Sequence, residues 1–454
     1  MKRLATILMI AVLVVTNVDV LADSADDYWP TWRGPDRMGV SPKGNPPLRW
    51  SETENIKWKI KLAGDESNAS PIIWGGKIFF QTAVKTDLQG APNVQSASVV
   101  PIARMGRGRG RRGGFGSSKP TNIYKFNLVC LDRGSGKLLW QKTVCEVLPH
   151  EGHHRDHGFA SYSPVTDGKL VWANFGSRGV YCYDTDGNQK WSKDLGPLST
   201  VMSFGEGGSL AVAGDAVIVV RDQEGDSFIF ALNKQTGDVI WKKARDERTS
   251  WATPLPVKVD GKIQVVTSAT NLVRSYDLDT GDVIWQCSGQ TRNVIPSPVA
   301  GFGMVYCTSG FRGSALLAIE LGRTGDLSNT DAVKWKLDEA TPYVPSPLLY
   351  GDKLYVCRVN DAVISCYNAR TGDPYFLKQP LEQIKGVYAS PAAAAGRIYF
   401  VGRNGVTCVL KPSDKVEVLA VNTLDDRIDC SPAFAGDEMY LKGKSNLYCI
   451  ASSN

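Results

Sequence analysis

The sequence predicts an all-β protein, an eight-bladed β-propeller of four-stranded antiparallel blades. Three observations predict this fold. A Ser/Thr-Pro step opens a short apolar strand at intervals of roughly 45 residues. In most units an acidic or amide residue, a Gly turn and a Trp then follow in the same order. No amphipathic helix of useful length interrupts the series, which argues against helical repeats.

The Ser/Thr-Pro step marks where each unit begins. It occurs at Ser70, Ser163, Thr253, Ser297, Ser346, Ser390 and Ser431, each followed by Pro. The gap from Ser163 to Thr253 spans two periods, and an unmarked unit that starts near Ser209 fills it. The gap from Ser70 to Ser163 is one period plus an insertion. Counting these starts predicts eight units.

The second half of each unit ends on a large aromatic ring. The series reads Asp132…Gly136…Trp140, Asp184…Gly187…Trp191, Asn233…Gly237…Trp241, Asp277…Gly281…Trp285 and Glu320…Gly325…Trp335. The sixth unit has Phe376 at this place, the seventh is degenerate near Val418, and Trp58 occupies the same place upstream of the first unit. We expect these tryptophans to be structural wedges between neighbouring blades, because such large apolar rings are mostly buried.

The last unit has only three strands, so we expect the strand at 56–62 to supply its fourth and to close the ring. Closure removes two exposed sheet edges. The predicted organisation is a signal peptide (1–22), a strap (23–55) and the propeller (56–454). The predicted blades are 68–144 with an inserted loop at 84–121, 160–195, 203–245, 251–288, 294–338, 343–380, 387–423 and 429–451.

The N-terminus has the order of a secretory signal peptide. Lys2 and Arg3 precede an apolar run at 4–15, and the small residue Ala22 follows. A membrane anchor is the alternative, but the run is shorter than the ~20 residues that a spanning helix needs. We therefore expect a periplasmic or secreted protein, cleaved near Ala22, with no membrane span.

Composition is that of an ordinary globular protein. The chain has 454 residues, 43% of them hydrophobic and 22% charged, which excludes wholesale disorder. The net charge of +6 allows an acidic partner without requiring one. Most of the ten cysteines recur in short apolar strands, so we expect mainly free buried thiols, with a pair or two bridged at most.

The Asp-x-x-x-Gly-x-x-x-Trp series resembles the tryptophan-docking motif of the quinoprotein-like, PQQ-repeat propellers. That group includes quinoprotein alcohol dehydrogenases and the propeller lipoprotein of the outer-membrane β-barrel assembly machinery. The opening Trp29-Pro30-Thr31-Trp32-Arg33-Gly34-Pro35 is similar to the lead-in of exported PQQ-binding-like propellers. The resemblance covers roughly residues 28–453 and implies the fold, whereas the chemistry has to be argued from the site.

Two insertions fall on the face formed by the inter-blade loops. Functional residues concentrate in loops that a rigid scaffold such as a propeller holds in place. The first, at 84–121, contains a basic arm of Arg104, Arg107, Arg109, Arg111 and Arg112 among glycines. We interpret it as a cationic arm for an anionic partner. A solvated surface loop without a partner is the alternative, because Gly and Arg bury little apolar area.

The second insertion, at 145–162, contains all four histidines of the chain. His150, His153, His154 and His157 lie beside Glu151 and Asp156. Imidazoles and carboxylates at this density suit a transition metal. The alternative is a polar rim that responds to pH.

Smaller loops on the same face supply aromatic, arginine and amide side chains. The binding-face candidates are Asn68, Tyr162, Arg178, Trp251, Arg292, Asn293, Arg312, Tyr343, Tyr388, Arg403 and Asp429. Aromatic platforms with bidentate donors suit sugars or peptide segments, and arginine suits carboxylates.

These features favour a non-catalytic exported binding module that holds a protein or an acidic polysaccharide, with no catalytic residue assigned. We expect a monomer with no cofactor and no nucleic-acid partner. A structural cell-envelope component without a small-molecule site is a further alternative.

The enzymatic alternative is a PQQ- and calcium-dependent quinoprotein alcohol or sugar dehydrogenase. The resemblance implies an adjacent Cys-Cys pair over the quinone, which this sequence lacks. Trp251 as the ring platform and Asp429 as the base are the only residues that we can assign to that chemistry.

Overall fold

The computed structural model describes residues 25–62, 64, 67–90, 119–358 and 361–452. It confirms the eight-bladed propeller: eight sheets each contain four antiparallel strands, and two of them carry an additional parallel strand. The predicted signal peptide and the five arginines of the basic arm lie outside the described residues. Within those ranges, no helix has the length and apolar character needed to span a membrane.

Short elements precede the first blade: a 3-10 turn (Ala25–Asp27), β1 (Val40–Ser41) and β2 (Ile56–Lys61). Blade 1 contains β3 (Ile72–Trp74), β4 (Lys77–Gln89), β5 (Asn122–Asp132) and β6 (Leu138–Val147). Blade 2 contains β7 (Val165–Thr166), β8 (Leu170–Asn174), a 3-10 turn (Gly176–Arg178), β9 (Val180–Asp184) and β10 (Gln189–Lys193). A 3-10 turn (Val201–Ser203) leads to blade 3, with β11 (Ala211–Ala213), β12 (Ala216–Arg221), β13 (Ser227–Asn233) and β14 (Val239–Arg245).

The later blades follow the same order. Blade 4 contains β15 (Leu255–Val259), β16 (Lys262–Ser268), β17 (Val273–Asp277) and β18 (Val283–Cys287). Blade 5 contains β19 (Val299–Gly301), β20 (Met304–Ser309) and β21 (Ala315–Glu320), then β22 (Gly325–Asp326) and β23 (Val333–Leu337). Blade 6 contains β24 (Leu348–Tyr350), β25 (Lys353–Cys357), β26 (Val363–Asn368) and β27 (Pro374–Pro380). Blade 7 contains β28 (Ala392–Ala394), β29 (Arg397–Val401), β30 (Val406–Leu410) and β31 (Val418–Thr423), and blade 8 contains β32 (Ala433–Ala435), β33 (Glu438–Lys442) and β34 (Asn446–Ile450).

Ring closure follows the prediction. Strand β2 pairs antiparallel with β34, and Trp58 lies opposite Cys449. The first strand of the propeller is thus the outermost strand of blade 8, and the ring joins end to end. In blade 1, β4 continues into the predicted inserted loop as far as Gln89, where Lys85 pairs with Tyr124 and Gln89 with Asn122.

Docking tryptophans fasten neighbouring blades together at five of the eight junctions. The indole N–H groups of Trp58, Trp140, Trp191, Trp241 and Trp335 donate to the carbonyls of Arg133, Thr185, Lys234, Leu278 and Ala369 at 2.8–3.1 Å. A glycine lies against each of these rings. At Gly237, a Cβ atom would lie 2.6 Å from the Trp191 ring, and φ is +75°. The repeat therefore requires glycine there for both contact and conformation.

Blade 5 departs from the predicted motif. Gly325 does not lie beneath a docking ring; it begins β22, which runs parallel to β18 and adds a fifth strand to blade 4. In this pairing Gly325 lies opposite Trp285. Trp285 is fully buried, and its indole N–H has no hydrogen-bond partner in the part of the chain that the structure describes. The grouping Glu320…Gly325…Trp335 was therefore wrong for its glycine, because the residues between β21 and β23 reach back to the previous blade.

A closed circle of hydrogen bonds joins the inner ends of all eight blades. We call it the hydroxyl ring; its members are Ser70, Ser163, Ser209, Thr253, Ser297, Ser346, Ser390 and Ser431. The backbone N–H of each member donates to the side-chain hydroxyl of the next at 2.9–3.0 Å, and Ser431 returns to Ser70. The unmarked third unit thus contributes Ser209 in the same way as the others.

The N-terminal strap packs against the inner strands of the ring. We call residues Trp29–Ser41 the plug. Strand β1 runs parallel to β28 of blade 7, and Trp29 forms a bridge with Ile73 of blade 1. Arg33 donates to the carbonyls of Pro347 and Pro391 at the inner ends of blades 6 and 7. The plug therefore contacts the inner ends of blades on several sides of the ring.

Candidate functional site

A cavity of about 850 Å³ opens on the face formed by the inter-blade loops. Seven members of the hydroxyl ring and Trp32 of the plug border its base. Its walls are loops that precede the inner strands and loops that join second to third strands. This is where rigid scaffolds display variable chemistry, and the volume is that of a typical ligand site.

Most of the binding-face candidates border this cavity: Asn68, Trp251, Arg292, Asn293, Arg312, Tyr343, Tyr388 and Asp429. Tyr162 and Arg178 do not. Tyr162 is buried, and Arg178 forms an ion pair with buried Glu206 at 3.1 Å, which assigns both to the support of blade 2. Arg403 lies just behind the wall and binds residues that line it.

One side of the cavity carries positive charge with aromatic rings. We call it the basic wall; it consists of Arg248, Trp251, Arg292, Phe311, Arg312 and Tyr343. Its three arginines are exposed, and their guanidinium groups form no ion pair within the described residues. The rings of Phe311 and Tyr343 stack with centroids 5.1 Å apart, and Arg312 lies 5.4 Å from the Phe311 centroid. Unpaired guanidinium groups are well suited to bidentate carboxylate binding.

Two residues at the basic wall, Arg312 within it and Asn293 directly after Arg292, have strained backbone. Asn293 has φ +56° and Arg312 has φ +52°. Non-glycine residues rarely adopt this left-handed region, and such positions concentrate at ligand sites. A hydrogen bond of 3.1 Å from the Asn293 N–H to Thr270 Oγ1 supports the first of them. Unfavourable backbone conformations are thus maintained at two residues that line the cavity.

The opposite wall is electrically balanced. It presents Asp156 and Asp429, which are bound from behind by Arg403 and Arg427; we call these four residues the ion-pair cluster. Asp156 accepts hydrogen bonds from Arg403 Nη2 at 2.7 Å and Arg427 Nη2 at 2.9 Å. Asp429 accepts from Arg403 Nε at 2.8 Å and Arg427 Nε at 3.1 Å, while its burial raises the pKa of its carboxyl. Charges that satisfy one another leave little free charge for a ligand.

The four histidines do not converge. His150 Nε2 lies 2.6 Å from the Leu198 carbonyl, His153 packs edge-on against Phe159, and His154 packs edge-on against Phe204. His157 is half-buried and borders the cavity, and burial lowers its pKa to about 3, so its imidazole is neutral. A single site made by all four rings, as the sequence suggested, is therefore not what this geometry provides.

Only His150 enters a cluster with metal-ligand geometry. Within the described ranges, the one such group is His150, Glu151 and Glu206, whose potential ligand atoms lie within 4.8 Å of one another. Glu206 already accepts hydrogen bonds from Ser177 and Arg178. A guanidinium beside this carboxylate opposes a bound cation, so the cluster is better explained as the anchor of the histidine loop.

The cavity does not fit the calcium ion of a quinoprotein dehydrogenase. Calcium takes roughly six to eight oxygen ligands, mainly carboxylates and carbonyls. Asp156 and Asp429 are bound to arginines, and Glu224 accepts a hydrogen bond from Thr249 at 2.8 Å. All ten cysteines are free thiols and none borders the cavity.

Sequence reasoning missed several residues of the cavity, and three of them are informative: Arg248, Phe311 and Trp32. Arg248 lies in the same loop as Trp251, and Phe311 precedes Arg312, so the loop rule that found their neighbours could have found both. Trp32 could not be found in this way, because the plug lies outside the repeat. Its place depends on contacts with blades far along the chain.

Comparisons with known proteins agree with the fold. A family model described as outer membrane protein assembly factor BamB matches residues 125–376. The crystal structure of BamB from Moraxella catarrhalis has a TM-score of 0.51 and 15% identity, and the match covers 81% of this chain and 99% of that chain. The computationally designed Ika8 protein also has a TM-score of 0.51, with 12% identity over 75% of this chain and 97% of its own.

A curated relative is the tetrathionate hydrolase of Acidithiobacillus ferrooxidans. It is 22% identical over 325 residues, which covers 67% of this chain and 57% of the relative. The chain therefore spans little more than half the length of that protein. The two structural likenesses show the propeller architecture.

Proposed function

We propose, since this chain belongs to the family described as outer membrane protein assembly factor BamB, that it is a non-catalytic exported binding module. In this proposal the cavity holds an acidic segment of a protein partner against the basic wall. The observation that carries it is the set of three exposed arginines, Arg248, Arg292 and Arg312, without a counter-charge in the described residues.

The cavity suits a short segment rather than a whole domain. A volume of about 850 Å³ accommodates a loop tip or a few extended residues. Guanidinium groups bind carboxylates, while Trp251 and the Phe311–Tyr343 stack offer flat apolar contact to neighbouring side chains. The basic arm would extend the same charge, because its insertion joins two strands of blade 1 on this face.

An acidic polysaccharide is the other ligand that such a wall would accept. Uronic acids combine carboxylates with sugar faces that stack on aromatic rings. Glycan and protein differ in the spacing of their charges and in backbone amides, so a direct comparison of probes distinguishes them.

The test is a binding titration by fluorescence anisotropy, with the mature chain, a labelled acidic peptide that contains one Phe, its neutral Gln counterpart and a uronic-acid oligosaccharide. We expect the acidic peptide to bind at least tenfold more tightly than the neutral one, equal to about 1.4 kcal/mol. The double variant R292Q/R312Q should lose that preference. The control is R358Q, whose arginine is already paired with Asp361 at 2.6 Å.

Three outcomes would contradict the proposal. The first is equal binding of the acidic and neutral peptides. The second is stronger binding of the oligosaccharide, which would assign the cavity to glycans. The third is turnover: oxidation of alcohols with PQQ and calcium, or consumption of tetrathionate, would make the protein an enzyme.

Export is part of the same proposal. We place the protein in the periplasm or outside the cell as a monomer. Intact mass spectrometry of the protein from fractionated cells should show a chain that begins near Asp23. Retention of the residues before Ala22 in a membrane fraction would instead support an anchor.

A further inference from the structure

The plug carries a buried cation that has no carboxylate partner among the residues that the structure describes. Arg33 is only 2% exposed. Its guanidinium donates to three backbone carbonyls: Pro391 at 2.7 Å, Pro347 at 2.6 Å and Met38 at 2.9 Å. Its Nε–H is inaccessible to solvent and has no hydrogen-bond partner in the described residues.

The three backbone carbonyls accept hydrogen bonds from the Arg33 guanidinium, but they are neutral and do not balance its positive charge. Burial lowers the pKa of Arg33 to about 9, and no acidic side chain opposes this. Buried charges in proteins are normally paired, because removal of an ion from water is costly. A fixed positive charge at the base of the channel therefore calls for a counterion.

A second arginine of the plug faces the same region. Arg37 donates from Nη2 to the Val212 carbonyl at 2.5 Å, and its Nε–H is likewise buried without a partner in the described chain. Burial lowers its pKa, and the only acidic group that opposes the shift is its neighbour Asp36, which is exposed.

The two arginines share a small pocket between the plug and the inner ends of blades 3 to 5. We call it the plug pocket. Its polar lining is Thr31, Arg33, Arg37, Thr253 and Ser297. Its volume is about 10 Å³, close to the smallest cavity that holds one water-sized particle. Thr253 and Ser297 each accept a hydrogen bond within the hydroxyl ring, so each retains its own O–H donor.

We propose that the plug pocket binds one small monovalent anion of the halide class. The two guanidinium Nε–H groups and the two ring hydroxyls provide donors, and the ion balances charge that the fold otherwise leaves uncompensated. This anion is a structural ligand that fastens the plug to blades 3 to 5. It is independent of any partner at the basic wall.

The test uses the full mature chain in chloride-free buffer at constant ionic strength, with sodium gluconate replaced stepwise by sodium chloride or bromide. Gluconate is too large for the pocket. We expect the melting temperature to rise with halide along a saturable curve. Crystals grown in bromide should show one anomalous peak in the plug pocket.

Variants separate a specific site from general salt effects. R37Q should flatten the halide dependence, and so should R33Q if it folds. R49Q removes an exposed arginine of the N-terminal strap that lies beyond the plug. This variant should retain the halide dependence. Melting curves that are identical in chloride and gluconate would overturn the proposal in favour of a water molecule. A bromide peak without a halide-dependent melting temperature would mean binding at crystal concentration only, and would overturn it equally.

Discussion

Asp156 connects distant parts of the ring through one carboxylate. It lies in the loop after blade 1 and binds Arg403 of blade 7 and Arg427 of the loop before blade 8. Its backbone carbonyl also accepts a hydrogen bond from Asn68. This residue fixes the histidine loop over the cavity, and its role is therefore to position the site.

We expect D156N to destabilise the fold by about 1–3 kcal/mol, because both guanidinium groups would lose a charged acceptor in a largely buried place. Urea unfolding measures the change. The matched control is D186N, whose side chain is 76% exposed in its pair with Lys77, and which should cost about 0.5 kcal/mol or less. Equal effects of the two substitutions would contradict the role assigned to Asp156.

His157 makes stability depend on pH. Its folded-state pKa of about 3 lies below its ordinary value of 6.5, so the unfolded chain binds a proton that the folded chain does not. Stability therefore falls as pH falls below 6.5.

Between pH 7 and pH 5.5 we expect the wild type to lose about 1.2 kcal/mol relative to H157Q, from a linkage of 1.36 kcal/mol per pH unit. The difference between the two proteins removes contributions from other groups. One such group is Glu247, whose pKa burial raises to about 7 and which acts in the opposite direction. Parallel pH curves for the two proteins would show that His157 is accessible to protons.

The sequence could predict these residues only in part. Arg292, Arg312 and Tyr343 were found because each adjoins a repeated strand, so the period alone gives their face. The pairing of Asp156 with Arg403 and Arg427 could not be predicted, since both arginines are more than half the chain away and no periodic signal joins them to Asp156. The plug was predicted as a strap without its place in the channel, for the same reason.

At the scale of the element, the glycine and the docking tryptophan act as a pair. Gly237 and Gly325 both have left-handed backbone, with φ of +75° and +83°. Only Gly237 lies against a ring; around a Cβ on Gly325 there is open space. Substitution of these two glycines therefore separates the free-energy cost of a left-handed backbone from the cost of a steric clash with the ring.

We expect G237A to destabilise more than G325A. Both substitutions incur the left-handed penalty of roughly 1–2 kcal/mol, but a Cβ 2.6 Å from Trp191 also displaces the ring. The additional cost should be about 1–3 kcal/mol, as for an overpacked core. Chemical denaturation of both variants gives the comparison. Equal losses of stability in the two variants would mean that the Trp191 ring moves to accommodate the Cβ. Contact with the ring would then not explain why this repeat position is glycine.

At the scale of the whole molecule, closure makes eight similar blades into one unit. The hydroxyl ring joins the inner ends, the tryptophans join the middle, and β2 joins the last blade to the first. The repeat period and the motif were sufficient to predict this architecture, because every blade contains the same four-stranded antiparallel sheet. The fifth strand of blade 4 was not predictable, since it breaks the period.

We expect removal of β2 to abolish cooperative unfolding, because it exposes the edge of β34 and removes the Trp58 wedge. The comparison variant replaces residues 91–118 with a short glycine turn. It should unfold like the wild type, since Gly90 and Thr121 already face each other through a hydrogen bond of 2.9 Å. Calorimetry distinguishes the two, and a cooperative transition without β2 would show that closure is dispensable.

Closure has a consequence for the order of biosynthesis. Strand β2 leaves the ribosome, and any export channel, before every blade, yet its partner β34 follows every other strand of the propeller. The plug likewise waits for the inner strands of blades 6 and 7. Strand β2 therefore remains unpaired until β34 has been made, and a chaperone that shields β2 and the plug during this interval would act at the step most exposed to aggregation.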